Sequence, residues 1–132
     1  MSKITTHILD TAKGCPAEGV RVNLYRLYRQ VGEAGRMLPS SGEEKIAEGT
    51  TNKDGRIAEW LGADGQDVNA GAGLLWGPGI YKIRFEIKDY FDKQVIPSFY
   101  PWVDIVFELA GDGHYHVPLL VSPYGYSTYR GS

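Results

Sequence analysis

Apolar and polar residues alternate with period two in four stretches of the chain. Thr6 and Ile8 alternate with Thr5, His7 and Leu9, and Val20, Val22 and Leu24 alternate with Arg21, Asn23 and Tyr25. Tyr81, Ile83, Phe85 and Ile87 alternate with Lys82, Arg84 and Glu86, the clearest case, while Val103, Ile105, Phe107 and Leu109 alternate with Asp104 and Glu108. Successive side chains of a strand point to opposite faces, so each stretch predicts a strand with one face on a core and the other on something wetter. Turn signals separate them: Lys13-Gly14 with Pro16, Asn52-Lys53-Asp54-Gly55, Gly77-Pro78-Gly79, Gly111-Asp112-Gly113 and Ser122-Pro123. About eight short strands at this spacing predict an all-β sandwich or barrel. A short helix is expected only over Lys88 to Gln94, stopped ahead of Pro97. Two segments, Gln30 to Glu43 and the Gly- and Ala-rich Gly62 to Gly79, read as loops inserted between strands.

Composition narrows the class. The 132 residues suit one domain, 1–132, and 42% hydrophobic with 23% charged residues excludes a disordered chain. Nine Tyr, three Trp and four Phe among 17 Gly and 7 Pro agree with strands punctuated by turns. A net charge of −2 argues against nucleic acid as a partner. No apolar run approaches the ~20 residues of a membrane helix, and the opening residues hold no secretory apolar region. The single cysteine, Cys15, has no intramolecular partner, which suits a reducing compartment. Arg130-Gly131-Ser132 is not the peroxisomal Ser-Lys-Leu signal. Cytoplasm is the expected location.

Few polar residues stand out as chemistry. His7 lies on the less apolar face of the first strand, His114 and His116 project to one side of a late strand, and Arg56 follows the Asp54-Gly55 turn. Each is compatible with an ordinary solvated side chain. His114 and His116 are also compatible with a metal pair, with Cys15 or His7 as third ligand, although no second pair accompanies them. Nothing adjacent would activate Cys15, no G-x-S-x-G elbow is present, and no phosphate-loop spacing occurs.

The motifs taken together are more specific. Thr6-His7-Ile8-Leu9-Asp10-Thr11, then Gly14 and Pro16-Ala17, and later Thr51-Asn52-Lys53-Asp54-Gly55-Arg56, resemble the transthyretin-like family. Gly79-Ile80-Tyr81-Lys82 and Phe99-Tyr100-Pro101 are placed as in that family. His114-Tyr115-His116-Val117-Pro118-Leu119-Leu120 and the run from Ser122-Pro123-Tyr124 to Tyr129-Arg130-Gly131-Ser132 are similar to its 5-hydroxyisourate hydrolase branch. The resemblance spans nearly the whole chain. The segments at 30–43 and 62–79 are longer than in compact members and carry none of the motif residues.

The resemblance implies an eight-stranded transthyretin-like (prealbumin-like) sandwich with one short helix, assembled as a homotetramer, a dimer of dimers, with sites in a channel between subunits. It implies hydrolysis of the small molecule 5-hydroxyisourate without cofactor or metal. His7, Arg56 and His116 would be catalytic: the imidazoles would activate water and manage the proton, and the guanidinium would polarise substrate. Tyr129 and Ser132 would hold substrate, Arg130 and Gly131 would shape the pocket, and His114 would stand near its rim. A non-catalytic carrier of the transthyretin type is the rival. It would be expected to hold Lys, Glu and two Thr at the positions of His7, Arg56, His116 and Tyr129. On this reading Tyr115, Val117, Leu119, Tyr126 and Thr128 face inward. His114, His116, Pro118, Leu120, Ser127 and Tyr129 face outward, and Pro118, which lacks an N–H, occupies an unpaired ladder position.

Overall fold

The alternating stretches become the strands of two sheets, seen in a computed structural model that describes residues 2–31, 37–62, 65 and 74–131. In chain order the elements are β1 (Ser2–Asp10), β2 (Cys15–Pro16), β3 (Arg21–Val31), β4 (Met37–Thr50), β5 (Leu74–Trp76), β6 (Gly79–Phe85), α1 (Ile87–Asp92), β7 (Val103–Leu109), β8 (Gly113–Ser122) and β9 (Gly125–Thr128). One sheet runs β4-β3-β6-β7; the other runs β2-β1-β8-β9, with β5 also on β1. All pairings are antiparallel except β1 with β8, which run parallel with Thr5 opposite His116 and His7 opposite Pro118.

The period-two pattern explains the core. Ile4 and Ile8 of β1 and Val117, Leu119 and Val121 of β8 are buried, as are Val22 and Leu24 of β3 and Tyr81, Ile83 and Phe85 of β6. Interdigitation of two such apolar faces is what makes a sandwich stable. Thr6 shares the inward parity of β1 and is buried too, but its hydroxyl donates to the Val117 carbonyl at 2.6 Å, so its polar atom is not stranded. Buried Asp10 ends β1. One of its carboxylate oxygens accepts from the amides of Ala12 and Lys13, and the other accepts from the Tyr90 hydroxyl at 2.7 Å, tying α1 to this sheet.

Several expectations need correction. Nine strands occur among the described residues, two of them, β2 and β5, being short pieces laid on the outer edge of β1. Segments 30–43 and 62–79 are not loops throughout. β3 and β4 extend the hairpin through Val31 and from Met37, across shifts of register, and Leu74–Trp76 pairs with Ser2–Ile4. A sheet edge offers unpaired N–H and C=O groups, and an adjacent chain segment satisfies them when it can. The helix begins one residue earlier than expected, at Ile87, which is buried with Tyr90 and Phe91. Tyr126 and Thr128 do not enter the core. β9 is the sheet's edge strand, Tyr126 is 42% exposed against the edge of Tyr100, and Thr128 turns its hydroxyl to the Pro118 carbonyl. Pro118, on the same face of β8 as His116, is buried. The β8–β9 ladder runs to Leu119 opposite Thr128 and resumes at His116 opposite Gly131, skipping Pro118 as its missing donor requires.

Candidate active site

The turn at 51–56 is built by side chains chosen for it. Thr51 is buried, its hydroxyl donating to the Ala17 carbonyl at 2.7 Å and accepting from the Val20 amide at 2.9 Å. The Asn52 side-chain oxygen accepts from the amides of Asp54 (2.9 Å) and Arg56 (3.1 Å), a local closure that Asn performs readily. Gly55 has φ +73°, and a Cβ there would lie 2.4 Å from the Ile8 carbonyl oxygen and 3.2 Å from the His7 ring. Only glycine tolerates both conditions. Its carbonyl accepts from the Ile8 amide at 2.8 Å, and Arg56 is thereby bridged directly to His7 across the edge of β1. Gly55→Ala is therefore expected to cost about 1–3 kcal/mol of stability through backbone strain and to separate Arg56 from His7. Thermal melting and steady-state kinetics on one sample check this; an unchanged melting temperature would refute the close approach.

The remaining site groups come from β8 and the tail. The parallel register places Thr5 beside His116, and the Thr5 hydroxyl oxygen lies 2.8 Å from His116 Nδ1 and 2.6 Å from His114 Nε2. The two rings stand 6.1 Å apart. Gly131 donates its amide to the His116 carbonyl at 2.8 Å, and a Cβ there would fall 2.5 Å from His116 Cδ2. The tail thus lies flat against the imidazole. Arg130 crosses the ring of Tyr115, its guanidinium carbon 4.6 Å from the centroid, which holds the tail down.

Electrostatics separates these histidines from ordinary surface ones. Partial burial lowers the pKa of His7 below its usual 6.5, and the Arg56 charge lowers it further, against an opposing backbone hydrogen bond and charge from Asp54. Burial also lowers His116 first, then Arg56, His114 and His7 act in the same direction. Both effects favour the neutral imidazole beside a permanent cation. Neutral imidazole can take a proton from water, and a fixed guanidinium can stabilise an oxyanion.

The fold therefore gathers His7, Arg56, His114 and His116 on the outer face of one sheet, with Gly131 packed on His116. All three histidines of the chain belong to this cluster. Tyr129 is 57% exposed and, with Arg130 and His116, lines a cavity of about 250 Å³ against Phe107 of β7. Ser132 lies outside the described residues. Cys15 is exposed on β2. Among the described residues no three His, Cys, Asp or Glu side chains converge as metal ligands. A more spacious cleft, about 620 Å³ between Arg21, Glu48, Asp89 and Lys93, contains none of these residues. The sequence reading missed Thr5. The signal was available, because Thr5 shares the parity of His7 on β1 as His114 shares that of His116 on β8.

Comparison with known proteins places the chain among proteins of this fold. The probable 5-hydroxyisourate hydrolase of Schizosaccharomyces pombe is 40% identical over 129 residues, covering 98% of this chain and 90% of that protein. The structure of Klebsiella pneumoniae 5-hydroxyisourate hydrolase matches with TM-score 0.72 at 34% identity, covering 99% of this chain and all 100% of that one. Sea bream transthyretin, solved in complex with thyroxine, matches with TM-score 0.71 at 27% identity over 98% of this chain and 94% of its own. The sequence pattern of the HIUase/Transthyretin family matches residues 4–131. With that match running from β1 through the tail that closes on His116, the chain belongs to the HIUase/Transthyretin family.

Proposed function

We propose that this protein hydrolyses 5-hydroxyisourate to 2-oxo-4-hydroxy-4-carboxy-5-ureidoimidazoline, a step of urate degradation. The observation that carries the reading is the joining of His7, Arg56 and His116 on one sheet face, where burial and the guanidinium both disfavour the protonated imidazoles. Water attacks the ring carbonyl next to N1 as one imidazole takes its proton. The tetrahedral oxyanion meets Arg56, whose planar donor fork suits the oxygens of a flat substrate. Collapse breaks the C–N bond, the leaving nitrogen receives a proton from an imidazolium, and the new carboxylate departs. Tyr129 and Ser132 hold the substrate, Arg130 and Gly131 shape the pocket, and His114 stands at its rim.

A transthyretin-type carrier on the same fold is the second reading. It is disfavoured by the residues present, since His7, Arg56, His116 and Tyr129 stand where a carrier would be expected to hold Lys, Glu and two Thr. One assay decides between them. Urate with urate oxidase generates a transient hydroxyisourate absorbance, and catalytic amounts of the protein should shorten its decay. Decay at the spontaneous rate would refute the hydrolase reading.

The assembly belongs to the same proposal. The site opens outward from the sheet, and exposed Phe99, Tyr124 and Tyr126 lie around the β8–β9 turn, where the Phe99 amide donates to the Pro123 carbonyl, while exposed Tyr129 follows the other end of β9. Large apolar groups concentrated there imply cover by further copies of the chain. Light scattering is expected to give the mass of a homotetramer at micromolar concentration; a monomer would remove the shared channel. A cytoplasmic location completes the proposal, supported by a lone exposed thiol with no disulfide partner.

A further inference from the structure

We propose that Thr5 is a positioning residue of this site: its hydroxyl accepts a hydrogen bond from Nδ1–H of His116 and donates its own to Nε2 of His114, holding His116 in the tautomer whose Nε2 bears the free lone pair. The inference rests on the hydrolase reading and deepens it, because it makes His116 the imidazole that takes the proton from water.

The argument begins with counting. A threonine hydroxyl carries one proton and two lone pairs. Its oxygen lies 2.6 Å from His114 Nε2 and 2.8 Å from His116 Nδ1, direct hydrogen-bond distances with no room for a bridging water. The hydroxyl cannot donate to both nitrogens, so at least one imidazole donates to it. The distances set the direction. Hydrogen bonds donated by O–H are shorter than those donated by N–H, so the 2.6 Å contact is the hydroxyl donating to His114 Nε2 and the 2.8 Å contact is His116 Nδ1–H donating to the hydroxyl. Nε2 of His116 is then the lone-pair nitrogen. Thr5 then gives its proton to His114 Nε2, and the exposed His114 ring keeps its Nδ1–H for solvent. The register makes this possible, since Thr5 sits opposite His116 on the outward face while its neighbour Thr6 is buried.

The test needs no substrate for its first arm. Nitrogen-15 NMR of histidine-labelled protein at about pH 8, where neutral rings dominate, reads each tautomer. His116 is expected as the Nδ1–H form in the parent protein and in Thr5→Ser, and as a mixture in Thr5→Val. An Nε2–H form of His116 in the parent, or an unchanged tautomer in Thr5→Val, would overturn the proposal. The parent measurement decides even where Thr5→Val does not fold. In the second arm, Thr5→Val should lower kcat about tenfold, the worth of one hydrogen bond, with KM little changed, and Thr5→Ser should restore it. Equal kcat in the parent and a folded Thr5→Val would also overturn it. A parent protein that fails to accelerate hydroxyisourate decay refutes the hydrolase reading, whereas the tautomer result still judges Thr5.

Discussion

His116→Asn and His7→Asn are each expected to lower turnover by about 10²–10⁴-fold, the usual contribution of a general acid–base group, with smaller changes in KM. Asparagine retains hydrogen bonding but has no titratable nitrogen, so the loss reports proton transfer rather than substrate grip. The pH profile supplies an independent check. Both imidazoles have pKa values below the usual 6.5, through burial first and Arg56 second. The acid limb of kcat/KM should therefore have its midpoint below 6.5. Arg56→Gln removes the cation that disfavours the imidazolium, so the midpoint should move upward. Linkage sets a matching trend in stability. Below pH 6.5 the unfolded chain protonates these histidines before the folded chain does, so stability falls as pH drops until the lowered folded values are passed. Folded His7 and His116 variants with parental turnover would sink the assignment of both groups.

Gly131→Ala is expected to reduce turnover by about 10²-fold without unfolding the sandwich. A Cβ at this position would stand 2.5 Å from Cδ2 and 3.0 Å from Cγ of His116, so the ring or the tail must move. A displacement of about 1 Å at a catalytic group is enough for such a loss. The residue is half-buried beyond β9, outside the core, and little stability depends on it. Kinetics and melting temperature on the same sample separate the outcomes. Parental turnover in Gly131→Ala would show that the tail does not press on His116 in solution. A large drop in melting temperature would instead assign the tail to completing the sheet.

The sandwich was legible because a strand with one buried face must alternate apolar and polar residues. β1, β3, β6 and β7 all carry that alternation, and the buried apolar residues of each fall on the expected parity, with Asn23 and Lys82 buried on the other face. The turn at Asn52 to Arg56 was legible for a similar reason: the Asn52 closure and the positive φ of Gly55 depend only on neighbouring backbone. The candidate residues His7, Arg56, His114 and His116 could likewise be nominated from motif and parity. Their meeting could not be read. Nothing in local pattern says that β1 lies parallel to β8 with Thr5 opposite His116, or that the 51–56 turn bridges His7, because pairing between distant segments is decided by the whole packing. The exposure of Tyr126 and Thr128 had the same cause. Alternation reports which face a side chain takes, but only the topology makes β9 an edge strand with little core to face. The sequence alone determined the alternating strands, the turn and the chemical types available. The tertiary structure decided which of those groups touch, and thereby placed one threonine between two histidines.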